Sequence, residues 1–117
     1  MKFNELNVSD KLKEALADQG FEEMTKIQER AIPILLEGRD LIGKSQTGTG
    51  KTFAFAIPAA EKINPEIHAP QILVLLPTRE LALQVAQEFQ KILRHEPDIR
   101  VVSVFGGSPM DQQIRAL

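Results

Sequence analysis

Apolar positions follow two alternating rhythms along this 117-residue chain, one helical and one extended. Leu12 and Leu16 sit four apart behind Ser9, a good capping side chain, and Gly20 closes the run, so the spacing predicts a short helix. A second helix is expected from Thr25 to Gly38, with Ile27, Ala31, Ile34 and Leu35 on one stripe and a bend or split at Pro33. Asp40 to Lys44 reads as a short strand that enters the glycine-rich stretch Ser45-Gln46-Thr47-Gly48-Thr49-Gly50-Lys51-Thr52. An apolar helix from Phe53 to Ile63 follows, with a kink expected at Pro58.

The second half repeats this order. Gln71 to Leu76 is a continuous apolar run ended by Pro77, the pattern of a strand buried on both faces. Arg79 to Arg94 is the best amphipathic helix, with Leu81, Val85, Phe89 and Ile92 spaced 4, 4 and 3. Arg100 to Phe105 reads as a third strand stopped by Gly106-Gly107, and Pro109 opens a last helix that runs to Leu117. Strands separated by helices imply parallel pairing through right-handed crossovers. The fold class expected is α/β, in one domain.

Composition changes this picture little. The chain is 43% hydrophobic and 26% charged, the balance of an ordinary globular domain. It has no cysteine, which removes disulfides, thiolate metal sites and cysteine nucleophiles together. Met1-Lys2-Phe3-Asn4-Glu5 has no apolar core of a secretory signal, and no run is long enough for a membrane helix, so a cytoplasmic protein without a membrane partner is expected. The formal net charge of −2 offers no global attraction to nucleic acid, so any such contact must be local.

The sharpest chemical signal is the glycine-rich stretch. Glycines let a loop wrap its N–H groups around an anion, and the following helix adds its positive end. Gly50, Lys51 and Thr52 fit the G-K-[ST] end of a phosphate loop: the lysine reaches the outer phosphates and the hydroxyl takes a Mg²⁺ position. The first glycine of the strict pattern is replaced by Ser45. A polar loop that merely caps a helix is the bland alternative.

Thr25 and Gln28 are ambiguous by themselves. They form a T-x-x-Q capping box, yet a glutamine amide can also read adenine through N6 and N7. Thr78 could be an N-cap with Arg79 and Glu80 solvated in the first turn, or Thr78 and Arg79 could hold a nucleic-acid phosphate at the end of a strand. Gly106-Gly107 divides the same way between a flexible turn and a backbone contact. His68 and His95 lie in polar loops with no second ligand at metal spacing, and surface positions are expected for both.

Taken together, Gly20 to Gln28, Ser45 to Thr52, Pro77 to Ala82 and Gly106-Gly107 resemble, in order, the Q motif, motif I, motif Ia and G-G motif of the DEAD-box ATP-dependent RNA helicases. Phe3 lies 17 residues ahead of Gly20, where that family carries an isolated aromatic. The Q motif separates this pattern from DEAH helicases, and Pro77-Thr78-Arg79-Glu80-Leu81-Ala82 is unlike the loops of P-loop kinases. Within the family the chain is similar to bacterial, cold-shock-type members.

The resemblance implies a RecA-like P-loop NTPase fold, here an incomplete parallel sheet with flanking helices. Residues 1–38 would form the Q-motif helical region and 39–117 the P-loop and following βαβ units, the N-terminal part of the first RecA-like domain, with no second domain. It implies ATP and Mg²⁺ as cofactors. Gln28 would select adenine, Phe3 would stack on the base, and Thr25 would support the P-loop. Gly20, Phe21, Ser45, Gln46, Thr47, Gly48, Thr49 and Gly50 would complete the nucleotide site. Lys51 and Thr52 would act on the phosphates, with the Thr52 hydroxyl on the metal. Pro77, Thr78, Arg79, Gly106 and Gly107 would lie along the backbone of single-stranded RNA without reading bases.

There are departures. Met24 stands where the family usually has proline, and Ser45 where it has alanine. No D-E-A-D box, S-A-T motif or arginine finger occurs, so the alternative expectation is a nucleotide-binding piece with no turnover of its own. In the implied fold the P-loop strand is central and its sheet neighbours come from later in the chain. Leu41 and Ile42 are therefore expected at an unpaired edge.

Overall fold

The computed structural model describes residues 1–46, 50–107 and 110–117. A 3₁₀ turn at Phe3–Glu5 precedes five helices: α1 Asp10–Asp18, α2 Lys26–Leu36, α3 Lys51–Glu61, α4 Arg79–Ile92 and α5 Met110–Ala116. Local chemistry sets most of their ends. The Ser9 hydroxyl accepts from Leu12 N–H at 3.3 Å, and Gly20 ends that unit with φ +78°. Thr25 caps α2 through a complete capping box with Gln28, and Thr78 caps α4 by accepting from Leu81 N–H at 3.1 Å.

Both internal prolines sit inside helices that the assignment leaves unbroken. Helix α2 runs through Pro33 and resumes its bonding with Glu37 N–H to Pro33 O at 3.2 Å. Helix α3 runs through Pro58, which is buried in the core, and packing of that face offsets the missing N–H. The expected split at Pro33 does not occur.

Helix α3 is the centre of the packing. It buries Phe53, Ala54, Ala56, Ile57, Pro58 and Ala60, and it lies against α1, α2 and α4. Ala56 and Ile57 are fully buried, as is Ile32 of α2. The small alanines let neighbouring helices approach, while a fully buried isoleucine contributes roughly 1.5–3 kcal/mol. Leu12 and Leu16 of α1 and Val85, Phe89 and Ile92 of α4 close the cluster. The stripes read from spacing in α1 and α4 are buried except for half-buried Leu81, whereas α2 buries Gln28, Ala31 and Ile32 and leaves Ile27, Ile34 and Leu35 half-buried.

The sheet is the main correction. Among the described residues no strand is assigned, and the one β-bridge joins Lys2 to Glu23 in antiparallel sense. Residues 40–44, 71–76 and 100–105 run without ladder bonds to one another. The run 71–76 is not buried on both faces: Val74 and Leu76 pack on the helical core, while Leu73 and Leu75 are 82% and 84% exposed. Ile42 is 90% exposed. A strand is stabilised by hydrogen bonds to a neighbouring edge, and side-chain pattern alone does not supply one. The period-two pattern therefore survives as a choice of face, with helices covering one side.

None of the helices described is long and apolar enough to cross a membrane.

Candidate nucleotide and nucleic-acid site

Gln28 stands three residues after the cap Thr25 and is 4% exposed, the one buried polar side chain among the described residues. Its Oε1 accepts from Thr25 N–H at 2.9 Å, and its own N–H donates to Thr25 Oγ1 at 3.5 Å. Its Nε2 donates to the carbonyl of Gly50 at 3.2 Å, across 22 residues of sequence. One amide thus closes the cap of α2 and ties that cap to the residue preceding α3. A primary amide has two N–H groups and two acceptor lone pairs, and these two bonds use one of each.

Gly50 has to be glycine here. It adopts φ +88°, and a Cβ built on it would lie 2.4 Å from Gln28 Nε2 and 3.0 Å from Thr25 Oγ1. Both the left-handed backbone and the close approach exclude a side chain. Lys51 then opens α3 as an exposed residue, with Thr52 half-buried beside it. An exposed lysine at a helix N-terminus, where main-chain N–H groups lack intrahelical partners, is a suitable setting for an anion. Ser45 is half-buried and Gln46 exposed. Thr47, Gly48 and Thr49 lie outside the described residues.

Phe3 lies in the core. It is 3% exposed, held by its N–H to Glu22 O at 2.9 Å, and it packs edge-on to Phe21 with centroids 6.2 Å apart. Phe21 in turn meets Phe53 edge-on at 4.8 Å. Phe21, one residue after exposed Gly20, is half-buried and so more accessible than Phe3. Residue 1 reinforces this strap: the Met1 amine pairs with Glu29, which raises its pKa above the ordinary value, and Met1 O accepts from Met24 N–H at 3.0 Å.

A second group gathers at the start of α4. Pro77, Thr78 and Arg79 are all exposed, and the Thr78 hydroxyl is engaged in the cap. The Arg79 guanidinium lies 4.6 Å from the centroid of Phe105. Gly107, with φ +88°, brings its Cβ position within 3.7 Å of Arg79 Nη1. Arg79 and Gly107, distant in sequence, are therefore neighbours, and Gly106 is exposed beside them.

No group of three or more His, Cys, Asp or Glu placed to hold a metal ion occurs among the described residues. His95 Nε2 lies 2.7 Å from Asp18 Oδ2, joining the ends of α4 and α1, and His68 is exposed. A cavity of about 270 Å³ lined by Ile63, His68, Asp98 and Arg100 shares no residue with the groups above.

The DEAD/DEAH box helicase family model matches residues 25–117, most of the chain. The chain belongs to that family. It is 48% identical over 116 residues to the ATP-dependent RNA helicase CshA of Listeria monocytogenes, covering 99% of this chain and 22% of that protein. Among solved structures it resembles a DEAD box protein from Methanococcus jannaschii at TM-score 0.87 and 38% identity, covering 100% of this chain and 32% of that one. It also resembles the RNA helicase Prp28 of Chaetomium thermophilum bound to ADP, at TM-score 0.84 and 36% identity, covering 98% and 29% of the two chains. The chain thus spans about a fifth of the length of that curated relative.

As a DEAD/DEAH box chain, it holds its two candidate groups by different means. The Thr25, Gln28 and Gly50 group is hydrogen-bonded around one buried amide, that of Gln28, whereas Arg79 and Gly107 are exposed and Arg79 rests on a ring. Two contributors were not evident from sequence. Phe53 follows Thr52 directly and Phe105 precedes Gly106, and that adjacency was the available signal.

Proposed function

We propose that the protein carrying this chain is a DEAD-box ATP-dependent RNA helicase of the cytoplasm. It would bind ATP with Mg²⁺ and single-stranded RNA to unwind short duplexes, with residues 1–117 forming the first part of its first RecA-like domain. The observation that carries this reading is the bond from Gln28 to Gly50 O at 3.2 Å, which joins a glutamine-ended loop to the glycine before a G-K-T lysine. In this reading Gln28 uses its second N–H and second lone pair for the adenine edge, with Phe21 near the base and Thr25 and Gly50 holding the amide in place. Ser45, Gln46 and Gly50 would contribute to the phosphate side of the site.

The residues present fit a Mg²⁺-nucleotide: a glycine that tolerates no Cβ, an exposed lysine and a hydroxyl follow one another at a helix start. Lys51 would neutralise the outer phosphates and Thr52 would offer its hydroxyl to the metal, which supplies charge stabilisation when bound. Pro77, Thr78, Arg79, Gly106 and Gly107 would face the RNA backbone, giving sequence-independent contacts. Residues 1–117 contain no D-E-A-D run, and this favours a second reading for the isolated polypeptide: nucleotide binding without turnover.

Lys51→Ala in the full-length protein tests the assignment. RNA-stimulated ATP hydrolysis should fall to background while far-UV circular dichroism stays that of wild type, since Lys51 is exposed. Near-normal turnover at saturating ATP would refute the phosphate-loop role.

A further inference from the structure

Arg79 is distinguished among the cations of the described residues by the ring beneath it. It is the first residue of α4, where the helix dipole disfavours positive charge, and it enters none of the ion pairs found among the described residues. Its guanidinium instead lies on Phe105, 4.6 Å from the ring centroid. A guanidinium stacked on a ring buries one face and keeps its N–H groups directed outward from the edge, which suits bidentate contact with phosphate oxygens.

The platform is itself held. Phe105 is half-buried, and its backbone N–H donates to Gln113 Oε1 of α5 at 2.7 Å. The chain then turns through Gly106 and Gly107, the latter with φ +88° and its Cβ position 3.7 Å from Arg79 Nη1. This side of the guanidinium therefore stays close to the main chain. Helix α4 thus supplies the arginine, the 100–105 segment its ring, and α5 a bond to the backbone of that ring's residue.

We propose that Phe105 is a positioning residue for RNA: it fixes the Arg79 guanidinium so that its N–H edge meets a backbone phosphate of a single strand. This rests on the RNA reading given above and adds to it a residue that does not itself touch the ligand. A freely rotating arginine would lose side-chain freedom on binding, whereas a stacked one is already ordered.

The test is a double-mutant cycle in the full-length protein, read as affinity for a fluorescein-labelled polyuridine single strand. Phe105→Leu should weaken binding about two- to fivefold, the range of an exposed cation–π contact. Phe105→Tyr should restore it. Arg79→Ala should weaken binding in wild type, and in the Phe105→Leu background its further effect should be smaller, because the two act as one unit. An Arg79→Ala effect of equal size in both backgrounds refutes the role of Phe105 while leaving Arg79 as an RNA contact. Arg79→Ala without effect in either background overturns this inference and the RNA reading of Arg79 together. Should Phe105→Leu fail to fold, Phe105→Tyr and Phe105→Trp carry the same cycle, since both retain a stacking face; weaker binding in both, with Arg79→Ala then costing as much as in wild type, overturns the proposal.

Discussion

Replacing Gln28 by alanine removes a single amide that serves two elements. Thr25 N–H loses its acceptor at 2.9 Å and Gly50 O loses its donor at 3.2 Å. An ordinary hydrogen bond contributes about 0.5–1.5 kcal/mol net, and a buried group left unpaired costs about 1–3 kcal/mol. Thr25 is exposed, so water takes over part of the first bond, while Gly50 is half-buried beside the space the amide leaves. The expected loss of folding stability is about 1–3 kcal/mol, read by urea unfolding. Adenine binding should weaken by a further ~1–3 kcal/mol with erosion of the preference over GTP, read from the two dissociation constants. Gln28→Glu separates the parts, because it keeps an acceptor for Thr25 N–H but sets a second acceptor against Gly50 O. Burial and that carbonyl raise the new carboxyl above the ordinary value near ~4.3, so its destabilisation is absent below the unfolded pKa and complete above the folded one. Stability of Gln28→Ala within ~0.3 kcal/mol of wild type would refute the bridging role. An unchanged ATP-to-GTP preference would refute the base-reading role and leave the bridge intact.

Thr78→Ala should cost about 0.5–2 kcal/mol in thermal or urea unfolding by removing the cap on Leu81 N–H, and Thr78→Ser should restore it. The isolated 1–117 polypeptide should associate through Ile42, Leu73 and Leu75, measured by light scattering, and Leu73→Lys with Leu75→Lys should reduce that association. The same polypeptide should show no ATP turnover above background; RNA-stimulated turnover that vanishes in Lys51→Ala would mean that catalytic acids are present among residues 1–117.

The helices were legible because their signals are local. Ser9, Thr25 and Thr78 cap where the pattern placed them, and Leu12, Leu16, Val85 and Phe89 are buried as their spacing requires. The apolar run 71–76 was legible only as an extended face, since ladder bonds depend on a neighbour remote in sequence. The surroundings of Phe3 were not legible for a similar reason: it packs on Phe21, which in turn meets Phe53, and position in a motif does not reveal tertiary packing. Gln28 shows the opposite case. Its capping role was evident from Thr25 alone, yet the bond to Gly50 joins two motifs that sequence places 22 residues apart. The capping box and the nucleotide role are therefore not rivals, because the cap fixes the amide that a base would meet.

The acidic balance of the chain also takes a different meaning once its charges are located. Lys11, Arg39, Lys91 and Arg94 each lie within 4 Å of a carboxylate, at 3.6 to 3.8 Å, so their fields are partly cancelled where they arise. Arg79 lies on a ring instead, and a quadrupole steadies a cation without neutralising it. A net charge of −2 thus coexists with an uncancelled positive edge beside Gly106 and Gly107. Beyond a Debye length of ~8 Å at physiological salt the overall charge is largely screened, so an RNA backbone lying along this strip meets the local arrangement rather than the average. Such contacts would need no base readout, in keeping with the helicase activity proposed above.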